Sequence, residues 1–187
     1  HLQKQIEILG GPDQTPPTAD EFEQALGLAL SSPLATAHTH KRHYKGKENE
    51  VGSEEKFILC HLWILRETFL SVFFDERFFR NEENVLLHIL KDKPMLYSPD
   101  LFVYHQRKAN FFKLAPAVFS SGRHRIRSFF LYPDSFKFLY LAPLFFVLYL
   151  FSLIFISQIW ALLPLVIFFI SSFFFAYSKS ITNKRNR

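Results

Sequence analysis

Residues 1–127 read as an α/β domain and residues 128–187 as a two-helix transmembrane hairpin. Two observations predict this. Short apolar runs alternate with helix-period runs from Ile6 to Ser121, the pattern of strands laid against helices. Then the charge stops: after Lys137 no charged residue occurs until Lys179. Of the 187 residues, 49% are hydrophobic and 24 are Phe, and the excess is concentrated in that second block.

The bulk properties narrow the function classes. Cys60 is the single cysteine, which excludes an internal disulfide and suits a reducing compartment. The formal net charge is +5. Arg123, Arg125, Arg127 and Lys137 precede the apolar block, and Lys179, Lys184, Arg185 and Arg187 follow it. Basic residues placed so mark membrane flanks and not a nucleic-acid surface. The first ten residues lack the basic-then-apolar pattern of a signal peptide. The chain opens without Met, and the expectation is the remaining part of a longer protein.

Taken in order, Ile6–Leu9 is an apolar run stopped by Gly10-Gly11-Pro12, which predicts a strand ending in a tight turn. Pro16 and Pro17 keep the next stretch extended. Thr18 and Glu21 have capping-box spacing. Phe22, Ala25, Leu26, Ala29 and Leu30 recur at helical spacing, so Asp20–Ser31 is expected to be an amphipathic helix. His38, His40 and His43 lie in a polar segment with Lys41, Arg42, Lys45 and Lys47. No cysteine or carboxylate stands there at ligand spacing, so a mobile basic loop is expected in place of a metal site. Phe57–Leu65 reads as a buried strand, with His61 a satisfied core histidine.

Asn81 is a good N-cap, and Val85, Leu86, Ile89 and Leu90 form the apolar face of a helix ending at Lys91. Pro94–Tyr97 and Leu101–His105 read as two short strands around Ser98-Pro99-Asp100. Ala109–Ser121 reads as helical, with a kink or restart at Pro116 and Gly122 as its C-terminal cap. Arg123, Arg125 and Arg127 form either a flank attracted to anionic headgroups or a clamp on a diphosphate. Phe138–Ser157 and Ile159–Tyr177 each approach the roughly 20 residues that span a bilayer as a helix. Basic residues at both outer ends and none at the turn predict a multi-pass protein of the cytoplasmic membrane. Its soluble part and C-terminus would face the cytoplasm. A pair of re-entrant or interfacial helices is the alternative.

The chemistry-bearing stretch is Phe73–Arg107. Asp75, Glu76, Glu82 and Glu83 stand close together beside Phe73, Phe74, Phe78 and Phe79. The helix dipole stabilises acids in a first turn. Glu82 and Glu83 therefore read either as ordinary helix-start residues or as a source of a general base aimed into a cleft. Adjacent on a helix, they point about 100° apart. They cannot face each other across a substrate as a glycosidase pair does.

The ordered set Gly10-Gly11-Pro12, Phe74-Asp75-Glu76, Asn81-Glu82-Glu83-Asn84, Tyr97-Ser98-Pro99 and Tyr104-His105-Gln106-Arg107 resembles the C-terminal half of a bacterial family-two glycosyltransferase. The resemblance covers about residues 5–127 and implies the acceptor side of a GT-A, Rossmann-like fold. That family carries an acidic pair, usually Glu-Asp, whose second member is the general base. Glu83 holds that place, one methylene longer, with Glu82 before it. The resemblance further implies an inverting transfer from a nucleotide-sugar donor to a glycan or lipid-linked acceptor of the cell envelope. Asp75 and Glu76 would shape the acceptor pocket, and Arg123 and Arg125 would hold phosphate. A divalent metal, Mg²⁺ or Mn²⁺, is implied, with His105 completing its site. The family's Asp-x-Asp motif and a Gly-rich phosphate loop do not occur in this sequence. The chain alone is therefore expected to be inactive. The alternative is a non-catalytic, membrane-anchored interaction protein derived from such an enzyme.

Overall fold

A computed structural model describes residues 5–108 and 110–185, the last six as backbone only. The basic tail read at Lys184, Arg185 and Arg187 lies outside the described side chains, as does Ala109 at the expected helix start. The chain is mixed α/β and divides into two compact units, His1–Ser135 and Phe136–Arg187.

In the first unit, β1 (Ile8–Gly10) is the central strand. It pairs in parallel with β5 (Met95–Tyr97), Ile8 opposite Met95. On its other edge it pairs antiparallel with β4 (Leu62–Ile64). β3 (Glu50–Val51) adds to the far side of β5, giving the order β3-β5-β1-β4. A separate parallel pair joins β2 (Asp13–Gln14) to β6 (Val103–Tyr104). Around these lie α1 (Glu21–Leu30), α2 (Pro33–Thr36), α3 (Arg66–Leu70), α4 (Glu82–Ile89) and α5 (Phe111–Leu131).

The core is α4 packed on the sheet. Ile8 and Tyr97 from the strands, Phe57, and Leu86, Leu87 and Leu90 form one buried cluster. Leu87 belongs to it and Ile89 is exposed, so the buried face is rotated from the one expected. Because α4 leads directly into β5, it runs antiparallel to that strand. Its N-terminus therefore lies at the carboxyl ends of β1 and β5.

Gly10-Gly11-Pro12 does not make a tight turn. It carries the chain from β1 straight into β2, and no glycine has a positive φ. Glycine is needed for close approach: a Cβ on Gly11 would meet the Leu101 carbonyl oxygen at 1.7 Å and that of Ser98 at 2.5 Å. Both are backbone atoms, so no side chain fits.

Several local expectations are corrected. The N-cap of α1 is Asp20, whose carboxylate accepts from the Glu23 N–H at 2.8 Å; a carboxylate immediately before the helix outcompetes the more distant Thr18. Asn81 stands at a left-handed φ of 60° and makes no side-chain cap; its amide donates instead to the Ser121 carbonyl at 2.8 Å. Phe57–Leu65 is not one buried strand: a 3-10 turn occupies Leu59–His61, and only Leu62–Ile64 pairs, as an edge strand with Trp63 exposed. His61 is buried, but its Nδ1 has no hydrogen-bond partner among the described residues. The segment at 37–42 is a 3-10 helix, not a loop. Helix α5 runs through Pro116 and Gly122 to Leu131. Arg123, Arg125 and Arg127 consequently sit on a helix of the first unit and not on a flank after it.

The second unit contains α6 (Ala142–Ser152) and α7 (Leu163–Arg185), each entered through a 3-10 turn. Ile159–Lys179 spans 21 residues, and its most apolar 18-residue window has a mean hydropathy of 2.4, long and apolar enough to cross a membrane. It is the one such helix among the described residues. The first apolar stretch is helical only over Phe138–Ser152, about 22 Å at roughly 1.5 Å per residue. Its expected extension to Ser157 fails because the backbone after Ser152 breaks into turns, with the Ile154 and Phe155 N–H groups bonded to Phe151 and Ser152. The Tyr149 hydroxyl then donates to the Ala161 carbonyl at 2.6 Å.

Candidate functional site

The carboxyl ends of β1 and β5 carry a buried layer of charged side chains. Asp13, the first residue of β2, is fully buried. Its Oδ1 accepts a short hydrogen bond from His43 Nδ1 and another from Arg107 Nη2 at 3.1 Å. The Arg107 Nε donates to Thr15 Oγ1 at 2.8 Å. The parallel pairing of β2 with β6 explains this meeting. Asp13 lies opposite Val103, and the ladder continues as the His105 N–H donates to the Gln14 carbonyl at 2.8 Å. His105 and Arg107 are thereby delivered to the Asp13 neighbourhood. Cys60, in the turn before β4, completes it: one ligand atom each from Asp13, Cys60 and His105 lies within 4.8 Å of the others.

Arg42 extends the layer toward α4. It donates to the backbone carbonyls of Glu54 and Glu55 and to Asn84 Oδ1. Its Nη1 stands 3.7 Å from Glu83 Oε1, and the Asn84 amide donates to that same oxygen at 3.2 Å. Glu83 is buried, 8% exposed. The neighbouring Glu82 has a buried Oε2 with no hydrogen-bond partner among the described residues.

The electrostatics tie the two halves together. Burial raises the Asp13 carboxyl, but the hydrogen bonds and charges of His43 and Arg107 outweigh it and hold the group below its ordinary value. Burial pushes His43 down; Asp13 opposes this, while the charges of Arg107 and Arg42 add to it. The residue Cys60 is exposed, yet desolvation of its sulfur and the nearby Asp13 charge push the thiol up to about 11, with Glu83 contributing in the same direction. Asp13, Glu83, Arg42, His43, Arg107 and Cys60 thus share one neighbourhood.

Of the other expected site residues, Asp75, Glu76 and Arg123 lie apart from this layer. Asp75 is taken up by Arg77, whose Nε and Nη2 donate at 2.8 and 2.6 Å, and by the Tyr132 hydroxyl at 3.0 Å. Its pKa is lowered to about 2, chiefly by the Arg77 hydrogen bond. Asp75 therefore ties its turn to the end of α5. Glu76 is exposed. Arg123 and Arg125 are two residues apart on α5, about 200° around the helix. Arg123 is exposed, whereas Arg125 is half-buried beside Glu54, Asn84, His88 and Tyr132; they do not converge on one ligand. An open cavity of about 620 Å³, lined by Glu7, Glu67, Asp92 and Lys93 among others, opens at the opposite, amino-terminal ends of β1 and β5.

The sequence gives Asp13 and Arg42 no functional reading, marks His43 only as one of three histidines in a basic segment, and marks Cys60 only as the single cysteine. Asp13 had a usable signal, an acid directly behind an apolar run and Gly-Gly-Pro, where burial demands a partner. The hard divalent cation implied by the resemblance does not fit the group that assembles here. Mg²⁺ and Mn²⁺ favour carboxylate, carbonyl and water oxygens, while Asp13, Cys60 and His105 offer one carboxylate, one thiol and one imidazole. Comparison with protein-family models, curated proteins and solved structures returns no match to this chain.

Proposed function

We propose that this chain is the acceptor-side part of a membrane-anchored, inverting glycosyltransferase of the GT-A type. The observation that carries the reading is Glu83: a carboxylate on the first turn of α4, at the carboxyl ends of the parallel strands, gripped by Arg42 and Asn84. Ligands of open α/β sheets bind outside those strand ends, and a base must be fixed before it is useful. In this reading Glu83 removes the proton of an acceptor hydroxyl as that oxygen attacks the anomeric carbon. The bond to the nucleoside diphosphate breaks, and the leaving group carries off the electron pair. Arg42 and Asn84 keep Glu83 aimed. Asp75 holds α5 against the acceptor side. The donor pocket belongs to sequence outside this chain, in keeping with the missing Asp-x-Asp. The purified 187-residue chain should therefore release no nucleoside diphosphate from a nucleotide-sugar; metal-dependent release by it alone would refute the division into halves.

One observation favours a second reading, a non-catalytic interaction protein. Glu83 is almost enclosed and already paired, as a purely structural carboxylate would be. Turnover of nucleotide-sugars by the full-length gene product separates the two readings.

For the second unit we propose a transmembrane hairpin with both ends in the cytoplasm. Lys137 and Lys179 flank it and no charge lies between them, and the Tyr149–Ala161 hydrogen bond closes its turn. Helix α5, in the first unit, carries a surface suited to a membrane interface. Phe112, Phe119, Ile126 and Phe130 are exposed on one stripe at spacings of seven and four, with Arg123 and Arg127 alongside, the amphipathic pattern of an interfacial helix. Reporters fused after Ser135 and at the C-terminus should both read as cytoplasmic. A C-terminal reporter on the far side would mean that α7 crosses alone.

A further inference from the structure

We propose that Asp13, Cys60 and His105 form a binding site for a thiophilic divalent cation of the zinc class, with three protein ligands and one open coordination position. The three come from distant parts of the chain: the start of β2, the turn before β4, and the residue after β6. Their ligand atoms nevertheless lie within 4.8 Å of one another. In a tetrahedral zinc site with bonds of about 2.0–2.3 Å, ligand atoms are roughly 3.3–3.8 Å apart. Closing the remaining gap takes a rotation of side chains and no movement of strands, because Cys60 and His105 are both at the surface.

The chemistry of the set selects the metal. Thiolate and imidazole favour Zn²⁺ over Mg²⁺ or Ca²⁺. Three protein ligands with a fourth position open is the arrangement of zinc sites that bind water or a ligand. Asp13 is prepared as a ligand by its partners. His43 and Arg107 Nη2 engage Oδ1, while the described contact to Oδ2 is a long one, 3.5 Å from Arg107 Nη1. Oδ2 therefore keeps lone pairs for a metal, and hydrogen-bonded carboxylates of this kind orient metal sites. The inference does not rest on the transferase reading; it rests on donor chemistry and position alone.

The detergent-solubilised full chain, titrated with Co²⁺ as a spectroscopic stand-in, tests it. One equivalent should give tetrahedral d–d bands and a thiolate-to-cobalt charge-transfer band in the near ultraviolet, and Zn²⁺ should displace both. Cys60 is the chain's single cysteine, so a charge-transfer band reports that residue alone. Cys60→Ser should remove the band. Cys60→Ser and His105→Ala should each weaken Zn²⁺ binding by more than the roughly 10–100-fold that loss of an outer-shell partner costs. His38→Ala, outside the set, should bind as wild type. Circular dichroism of each variant checks that it is folded, and both ligands are exposed, so folding should survive. Absence of the charge-transfer band, or Zn²⁺ affinity unchanged in folded Cys60→Ser and His105→Ala, overturns the proposal.

Discussion

On the proposed transferase reading, Glu83→Gln should lower glycosyl transfer by the full-length protein by roughly two to four orders of magnitude, the scale of losing a general base. The substitution keeps the size and the hydrogen bond from Asn84 while removing the charge and the basicity. The loss should appear in kcat, with the KM for the nucleotide-sugar little changed, because in that reading the carboxylate serves the acceptor. Glu82→Gln should be milder, since its side chain points about 100° away around α4. Glu83→Asp should retain partial activity: the charge stays, and the shorter arm is the commoner one in the resembled enzymes. A kinetic readout matters because Glu83 also faces Arg42. If Glu83→Gln lowers only the stability of the protein and leaves kcat within a few-fold, the structural reading of this carboxylate wins. An inactive Glu82→Gln beside an active Glu83→Gln would move the base by one residue.

The second large effect belongs to Asp13. Asp13→Asn leaves Arg107, whose side chain is 5% exposed, without its counter-charge. Removing one member of a buried ion pair costs about 3–5 kcal/mol, a large part of the roughly 5–15 kcal/mol that holds a typical protein folded. Urea unfolding of the detergent-solubilised chain measures it. The double variant Asp13→Leu with Arg107→Met should recover much of the loss, because it removes both charges. The same residues set an acid sensitivity in two stages. His43 has a lowered folded-state pKa, so it is held neutral. Its contribution is complete above the unfolded value near 6.5 and is lost as pH falls through the lower folded one. Asp13 is also lowered, so its contribution is present above about 3.9 and fades as pH falls below that value toward its folded pKa. Stability should decline first below pH ~6.5 and again below pH ~4. His43→Gln should flatten the first decline only; a wild-type curve level from pH 7 to 4.5 would contradict the burial of a neutral His43.

The sequence made the long-period features readable and hid the long-range ones. Helix α1 and the site of α4 followed from apolar spacing and first-turn acids, and Ile159–Lys179 followed from unbroken hydropathy. The cap of α1 was misplaced by two residues because Thr18 and Asp20 offer the same chemistry at neighbouring positions. The path of α5 through Pro116 and Gly122 depends on tertiary support, including the Asn81 amide on the Ser121 carbonyl, which no local pattern encodes. Glu83 was visible because its neighbours form a motif. Its partner Arg42 was not, since a residue 41 positions earlier becomes a neighbour only after the sheet exists. His43 stands in the sequence among basic residues and gains Asp13 as a partner only through the fold. Cys60 and His105 meet only through the pairing of β2 with β6 and of β1 with β4.

Tyr97 joins the apolar core to that charged layer. Its ring is buried in the cluster with Ile8 and Leu86, and its hydroxyl donates to the carbonyls of Lys41 and Tyr44 at 2.7 and 3.1 Å. These two acceptors bracket Arg42 and His43. The segment is clasped again where Lys41 and Lys56 both grip Glu50 at 2.5 and 2.8 Å. Residues 37–56 are therefore expected to open as one unit. A fluctuation that releases the Tyr97 clasp takes Arg42 from Glu83 and His43 from Asp13 in the same event, while Asn84 and Arg107 stay. The two carboxylates therefore lose these partners together and not one by one, and amide exchange across 41–44 should report a single opening rate.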